Sequence, residues 1–248
     1  MSNYQNLFDE QSAKYARFRP NYPDELFKFL RQKSPSNKQA WDAGTGSGQA
    51  AVSLAEHFED VHASDSSLEQ LSHGPKHARI DFVHAAAETC KLKDSSCDLV
   101  TAANAVHWFD RSLFYKEAER VLKKHGVLAI WCTGMLEAPK EQAEAVGNFY
   151  SKLEAFWSEP VKLVKARYKS IEFPFAEFPC PEFLIKANWS LEQVLGYYSS
   201  WSAIPAYEKE NGRNPLGELR TELLKSSINN NLIEIQIPLY MRAGRKAD

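Results

Sequence analysis

Residues 40–48 read Ala-Trp-Asp-Ala-Gly-Thr-Gly-Ser-Gly: an apolar lead-in, an acid, and glycines at alternate positions, Gly44, Gly46 and Gly48. The stretch from Gln49 to His57 is rich in helix formers, with apolar residues at Ala51, Leu54 and Ala55. Together these read as a strand, a tight turn and a helix. Glycine permits the positive φ angles of such a turn and lets a ligand lie against bare backbone. The first amides of the helix behind it lack intrahelical partners and favour electron-rich groups. Further on, Val61-His-Ala-Ser-Asp65 offers a second short strand ending in an acid. In doubly wound sheets an acid at the tip of the neighbouring strand grips the vicinal hydroxyls of a nucleoside ribose. Turn and acid together point to a nucleoside cofactor on a parallel α/β sheet.

The chemistry beside the turn narrows the cofactor. A dinucleotide fingerprint needs glycine where Gln49 stands, so that the helix can pack close beneath a pyrophosphate. Asp42, just before the first glycine, would repel a pyrophosphate. It suits a cofactor carrying an amino group and a positive sulfur, which favours S-adenosyl-L-methionine over NAD. No Gly-Lys-Ser/Thr follows, so a P-loop is excluded. The competing readings are an NAD(P)-dependent oxidoreductase with a degenerate turn and a non-catalytic S-adenosylmethionine-binding protein. Gly44, Gly46 and Gly48 are expected to contact the cofactor, and Asp42 to meet its amino group or to orient the turn.

Four segments carry a family resemblance: Trp41 to Gly48, Ala63-Ser-Asp-Ser-Ser-Leu68, Phe82-Val-His-Ala-Ala-Ala-Glu88, and Cys97 to Asp110 with its His107-Trp108-Phe109 ending. They resemble the class I S-adenosylmethionine-dependent methyltransferases, in particular the small-molecule branch with trans-aconitate-type and ubiquinone-biosynthesis-type enzymes. Tyr15-Ala-Arg-Phe-Arg-Pro-Asn-Tyr-Pro23 is similar to the N-terminal segment of that branch. The similarity runs over residues 8 to 135.

The resemblance implies roles. Asp65 is the ribose ligand, with Ser66 beside the adenosine. Many members carry an acid that takes the exocyclic amine of adenine; here Ala86 stands in its place, followed by Ala87 and Glu88. The Ala87 backbone can serve the ring, and Glu88 can substitute for the missing acid. Asn104 and Ala105 resemble residues that flank the methionine moiety. His107, at the carboxyl edge of the sheet, is the candidate catalytic residue, and Trp108 a candidate substrate contact. Tyr15, Arg19 and Tyr22 can form a lid, with Tyr15 near the sulfonium and Arg19 pairing with the cofactor carboxylate. Methyl transfer from a sulfonium needs positioning and water exclusion, and a base only where the nucleophile carries a proton.

Strand and helix patterns alternate through the first half: a helix over 24–33, strands over 80–84, 98–102 and 127–132, and a helix from Leu113 to Lys124 stopped by Gly126. This predicts a Rossmann-like, doubly wound α/β sheet of about seven strands with ligands at the carboxyl ends. The second half predicts a helical cap: a helix over 141–157, an irregular stretch over 172–183, and a strand from Phe183 to Trp189. A helix from Leu191 to Trp201 follows, capped by Ser190. Pro205, Gly212 and Pro215 mark Ile204 to Leu216 as a loop. Leu216 to Ser226 reads as helix and Leu232 to Met241 as the last strand, antiparallel. Trp189, Tyr197, Tyr198, Trp201 and Tyr207 are expected to build the cap core. Tyr197 and Trp201, on one helix face, are candidates for the substrate pocket. Arg19, Arg167 and Arg213 are candidate partners for a carboxylate substrate.

The 248 residues are expected to form one domain: an N-terminal lid and helix (1–35), a cofactor-binding core (36–135), a cap containing one core strand (136–231), and a closing strand and tail (232–248). The formal charge of −2, with acids and bases intermixed, argues against nucleic acid as a partner. Cys90, Cys97, Cys132 and Cys180 have neither zinc-type nor redox spacing, so no metal is expected and four reduced thiols are. A polar N-terminus without a signal-peptide pattern and the lack of a membrane-length apolar run point to a cytoplasmic monomer or homodimer acting on a small-molecule methyl acceptor.

Overall fold

The computed structural model describes residues 18–225 and 232–247; Tyr15 lies outside them. In chain order the elements are α1 (Asp24–Lys33), β1 (Gln39–Ala43), α2 (Gln49–Ala55), β2 (Asp60–Asp65), α3 (Leu68–Ser72), β3 (Ile80–His84) and β4 (Cys97–Ala103). A 3₁₀ turn (Val106–Trp108) leads to α4 (Arg111–Val121), β5 (Leu122–Thr133), α5 (Lys140–Leu153) and α6 (Glu159–Lys165). Then come β6 (Ala176–Glu177), β7 (Phe183–Ser190), α7 (Leu191–Ser199), α8 (Ala203–Asn211), α9 (Leu216–Lys225) and β8 (Leu232–Arg245).

The strands form one sheet in the order β3-β2-β1-β4-β5-β8, with β6 and β7 on the far side of β8. From β3 to β5 every pairing is parallel; β8 runs antiparallel to both β5 and β7. From β1 the chain builds outward to β2 and β3, then returns to place β4 on the other side. That reversal makes the carboxyl ends of β1 and β4 the switch point where an open α/β sheet has its crevice.

Both faces of the sheet are covered, and β5 displays the reason in its sequence. Val127, Ala129 and Trp131 point into one apolar layer, with Leu26, Phe27, Leu30 and the aromatics of the cap. Leu128, Ile130 and Cys132 point into the other, with Trp41, Phe114 and Val121. A period of two with both faces apolar is the pattern of a central strand. Trp41 is fully buried, and its Nε1 donates to Ser64 Oγ at 2.9 Å, tying β1 to β2.

Three sequence expectations are corrected. Ile204 to Leu216 is not a loop: α8 occupies Ala203–Asn211. Pro205 sits in its first turn, where an amide would have no helical partner. Gly212 closes the helix in the left-handed conformation at φ 66°, its N–H donating to the Glu208 carbonyl. The breakers mark the ends of the helix. Next, α4 stops at Val121, because β5 begins at Leu122 opposite Cys97 and the register then shifts to Leu99 opposite Val127. His125, at φ 63°, and Gly126 lie in that irregularity. Finally, the stretch expected to be irregular contains a two-residue strand, Ala176–Glu177, beside the seven longer strands of the described residues. The expected Ser190 cap is present as a capping box: Ser190 Oγ accepts from the Gln193 N–H, and Gln193 Oε1 from the Ser190 N–H.

All four cysteines are free thiols. Burial pushes Cys90 up to about 11 and Cys97 and Cys132 up to about 12, which keeps those thiols protonated and inert. No helix among the described residues is long and apolar enough to cross a membrane. Among the same residues, no group of three or more His, Cys, Asp or Glu side chains is placed to hold a metal ion.

Candidate functional site

The turn after β1 is built on three left-handed glycines, at φ 66° for Gly44, 59° for Gly46 and 85° for Gly48. A Cβ on Gly44 would lie 2.7 Å from Ala105 Cβ and 2.8 Å from Phe109 Cζ; one on Gly48 would lie 2.6 Å from Phe82 Cζ. Both are packing glycines. Gly46 differs: its Cβ would meet only Gln70 Oε1, at 3.6 Å, and the residue borders a cavity. Bare backbone is presented there, as a close-lying ligand requires.

Asp42 lies behind the turn, fully buried. One carboxylate oxygen accepts from Thr45 Oγ1 at 2.6 Å and the other from Thr101 Oγ1 at 2.7 Å, so it ties the turn to β4. Of the two roles expected for Asp42, the geometry supplies the turn-orienting one; the residue does not line the cavity. Burial is the main cause that raises its carboxyl from 3.8 to about 6. A raised folded-state value means stability that is full below the unfolded value of 3.8 and lost as pH climbs through about 6. Asp42→Asn removes that loss. Urea denaturation is expected to show the variant gaining on the parent between about pH 4 and pH 6, levelling at about 3 kcal/mol at most. A pH-independent difference between the two proteins would contradict this assignment.

Asp65, at the tip of β2, faces the turn. Its Oδ2 accepts from the Gly46 N–H at 2.8 Å and its Oδ1 from the Ser67 N–H at 2.9 Å. Burial raises its carboxyl, and these backbone hydrogen bonds counter the shift. Ser66 follows on the same rim. Across the crevice, Ala86, Ala87 and Glu88 line the wall after β3. Glu88 Oε1 accepts from the Asp110 N–H at 2.8 Å, and Asp110 in turn caps α4 through the Leu113 N–H. Glu88 therefore also holds the loop carrying Phe109.

The cavity measures about 860 Å³, at the upper end of the range for small-molecule sites. It runs from Asp65 and Gly46, past the end of β4, to the cap. Asn104 stands at the middle, left-handed at φ 52°. Its Oδ1 accepts from the Thr133 N–H and its Nδ2 donates to Tyr22 Oη, so the tips of β4 and β5 and the N-terminal segment meet on one side chain. Ala105 and Trp108 line the same stretch. On the cap side the walls are Trp157, Tyr197, Trp201 and Tyr240, with Arg19, Lys165 and Arg167 as cations. Arg19 lies over the Tyr197 ring at 5.1 Å and Arg167 over the Tyr240 ring at 4.6 Å, each a cation–π contact. Lys165 pairs with Glu154. The N-terminal segment crosses between the two halves: Gln49 Nε2 donates to the Pro20 carbonyl, and Gly196 on α7 leaves room for the Phe18 ring.

His107 borders the cavity from the 3₁₀ turn, 7% exposed. Its Nδ1 meets Tyr168 Oη at 2.7 Å. Burial, aided by the Arg111 cation, lowers its conjugate acid to about 3, so the imidazole is neutral at any physiological pH.

Most residues singled out from sequence thus meet around one cavity. Asp42 and Gly48 support it from behind, and Arg213 is exposed and away from it. Sequence reasoning missed Trp157, Lys165 and Tyr240 in the lining, and Tyr168 behind His107. Trp157, Lys165 and Tyr168 come from the cap and Tyr240 from the last strand, where no motif marks them.

The methyltransferase domain family model matches residues 41–130. A Dictyostelium discoideum protein named as a methyltransferase is 30% identical over 254 residues, spanning 99% of this chain and 97% of that protein. A Saccharomyces cerevisiae protein named as an S-adenosylmethionine-dependent methyltransferase is 29% identical over 245 residues, spanning 83% of each. A solved structure described as a type II methyltransferase from Anaeromyxobacter dehalogenans superposes with a TM-score of 0.87 at 35% identity, covering 93% of this chain and 99% of that one.

Proposed function

Because the chain belongs to the class I S-adenosylmethionine-dependent methyltransferases, we propose that it methylates a small molecule held in the cap half of its cavity. The nucleophile is an oxygen or a carbon, a carboxylate included. The cofactor is S-adenosyl-L-methionine, which supplies a methyl group on an already activated sulfonium. One observation carries the reading: a single cavity joins the bare backbone of Gly46 and the Asp65 carboxylate to an aromatic, cationic cap.

In this reading Asp65 accepts from the ribose hydroxyls, with Gly44, Gly46 and Ser66 around the sugar. Ala86, Ala87 and Glu88 flank the adenine. Asn104 and Ala105 flank the methionine moiety, and Arg19 pairs with its carboxylate. The contacts of Phe18 and Arg19 with α7 support a lid in the N-terminal segment, to which Tyr15 is assigned. His107, Trp108, Tyr197 and Trp201 border the acceptor, and Arg167 offers it a cation. The chain's own part in the transfer is to align the acceptor and to exclude water. A carboxylate nucleophile needs no base, which suits a site whose only bordering histidine among the described residues is a weak one. Intermixed charge supports a chain that does not engage nucleic acid, and free thiols support a cytoplasmic one; a single domain acting as a monomer or homodimer completes the reading.

The test is a panel of carboxylic acids, phenols and enolisable carbonyl compounds, incubated with the protein and methyl-labelled cofactor. Label transfer to one class, abolished by excess S-adenosylhomocysteine, supports the reading. Transfer to protein or nucleic acid, and to no small molecule, contradicts it.

A further inference from the structure

Two consecutive residues other than glycine, Arg167 and Tyr168, hold left-handed backbone at φ 56° and 57°. Such a conformation costs about 1–2 kcal/mol per residue. They end α6 in a Schellman pattern: the Tyr168 N–H donates to the Leu163 carbonyl and the Arg167 N–H to the Val164 carbonyl. Glycine is the usual residue at the first of these positions. Arginine stands there instead, and its guanidinium lies over Tyr240 on the cavity wall. The turn is held from outside by Arg242 on β8, whose Nη1 donates to the Tyr168 and Ile171 carbonyls while Nη2 pairs with Glu177. A strained turn held by a neighbouring strand fixes where its side chains go.

What it fixes is the Tyr168 phenol. The side chain is fully buried and reaches across to the 3₁₀ turn, where Oη meets His107 Nδ1. The other ring nitrogen, Nε2, is left as the polar edge that His107 presents to the cavity it lines. We propose that Tyr168 is a positioning residue that sets the tautomer of His107. Its hydroxyl donates to Nδ1, and His107 thereby offers a fixed, uncharged Nε2–H to an oxygen of the methyl acceptor. This rests on the methyltransferase reading of the cavity and narrows it. The acceptor presents a carboxylate, carbonyl or phenolate oxygen to His107, which aligns it and neither takes nor gives a proton.

The alternative, His107 as a general base, fails on magnitude. A base works best with a conjugate acid near the working pH, and this one is held at about 3. Arg111, which opens α4, is a cation that opposes protonation; among the other charged groups around the cavity, Lys165 and Arg167 are cations and Glu88 and Glu137 anions.

The experiment uses the full chain with ¹⁵N-labelled histidine, saturated with S-adenosylhomocysteine. Long-range ¹H–¹⁵N spectra are recorded from about pH 5 to about pH 9, with the His107 signals identified by their loss in His107→Gln. A bare Nδ1 and a protonated Nε2, unchanged across the range, are expected. Tyr168→Phe keeps the ring and its packing. It is expected to mix the two tautomers, to leave the Kd for S-adenosylhomocysteine within about twofold, and to lower kcat/KM about tenfold on the acceptor found by the panel. Protonated Nδ1, a His107 that titrates in the range, or a Tyr168→Phe spectrum identical to the parent's overturns the proposal. A chain that does not bind S-adenosylhomocysteine overturns instead the reading of the cavity on which it rests.

Discussion

Asp65→Ala is expected to weaken binding of S-adenosylmethionine and S-adenosylhomocysteine by about two orders of magnitude. The carboxylate sits at the tip of β2 against the bare face of Gly46, with a backbone N–H on each oxygen. Each oxygen has a further lone pair for a ribose hydroxyl. Hydrogen bonds to a charged group contribute about 1.5–3 kcal/mol apiece, and losing a bidentate pair at about 3 kcal/mol corresponds to about 100-fold in Kd. The fold should survive. Removing the carboxylate strands two amides, but it also removes a desolvated charge whose burial already raises its pKa. Calorimetric titration reads the affinity and a thermal melt reads the fold. A Kd changed less than about fivefold in a folded variant would show that the ribose is gripped elsewhere.

The glycine turn yields a second large effect, and it separates two kinds of glycine. Gly44→Ala must place a methyl 2.7 Å from Ala105 Cβ and 2.8 Å from Phe109 Cζ, on a left-handed backbone. The Ala105 methyl cannot rotate away. Overpacking at about 1–3 kcal/mol adds to backbone strain of about 1–2 kcal/mol, so the expected loss of stability is about 3 kcal/mol in urea denaturation. Gly46→Ala bears the same strain but meets only Gln70 Oε1, at 3.6 Å. It should lose about 1 kcal/mol of stability and at least about tenfold in cofactor affinity, since its methyl enters the cavity where backbone is to be met. If Gly44→Ala were the milder fold defect, the packing assignment would be wrong.

These two predictions rest on the part of the molecule that is most legible in sequence. The alternating glycines, the acid before them and the acid ending β2 are local signals, and they lie on a short strand–turn–helix whose geometry little else can alter. The Ser190 cap is legible for the same reason: its partner, Gln193, is one helical turn away. Where signals have two meanings the reading fails. Pro205 and Gly212 disfavour a helix interior yet favour its ends, and the sequence does not say which applies until α8 has packed Ile204 and Tyr207 into the cap. Asp42 was visible as an acid, but its burial under Thr45 and Thr101 depends on β4 arriving beside β1. Tyr168 and Lys165 were invisible. The contact between Tyr168 and His107 spans 61 residues and depends on a helix end held by an arginine of the last strand. Such a contact leaves no periodic trace.

In the proposed reading the cap half of the cavity receives the methyl acceptor, and its walls there are aromatic side chains and cations. In that reading the neutral His107 and the Arg167 guanidinium over Tyr240 orient an oxygen-bearing acceptor.

The central claim is that one cavity divides into a cofactor half at the glycine turn and an acceptor half under the cap. A crystal structure of the chain with S-adenosylhomocysteine tests it most directly. Both ribose hydroxyls are expected on the Asp65 carboxylate, the adenine beside Ala87, and the thioether sulfur turned toward His107 and the cap aromatics. A ribose bound away from Asp65, or a sulfur turned away from the cap, would contradict it.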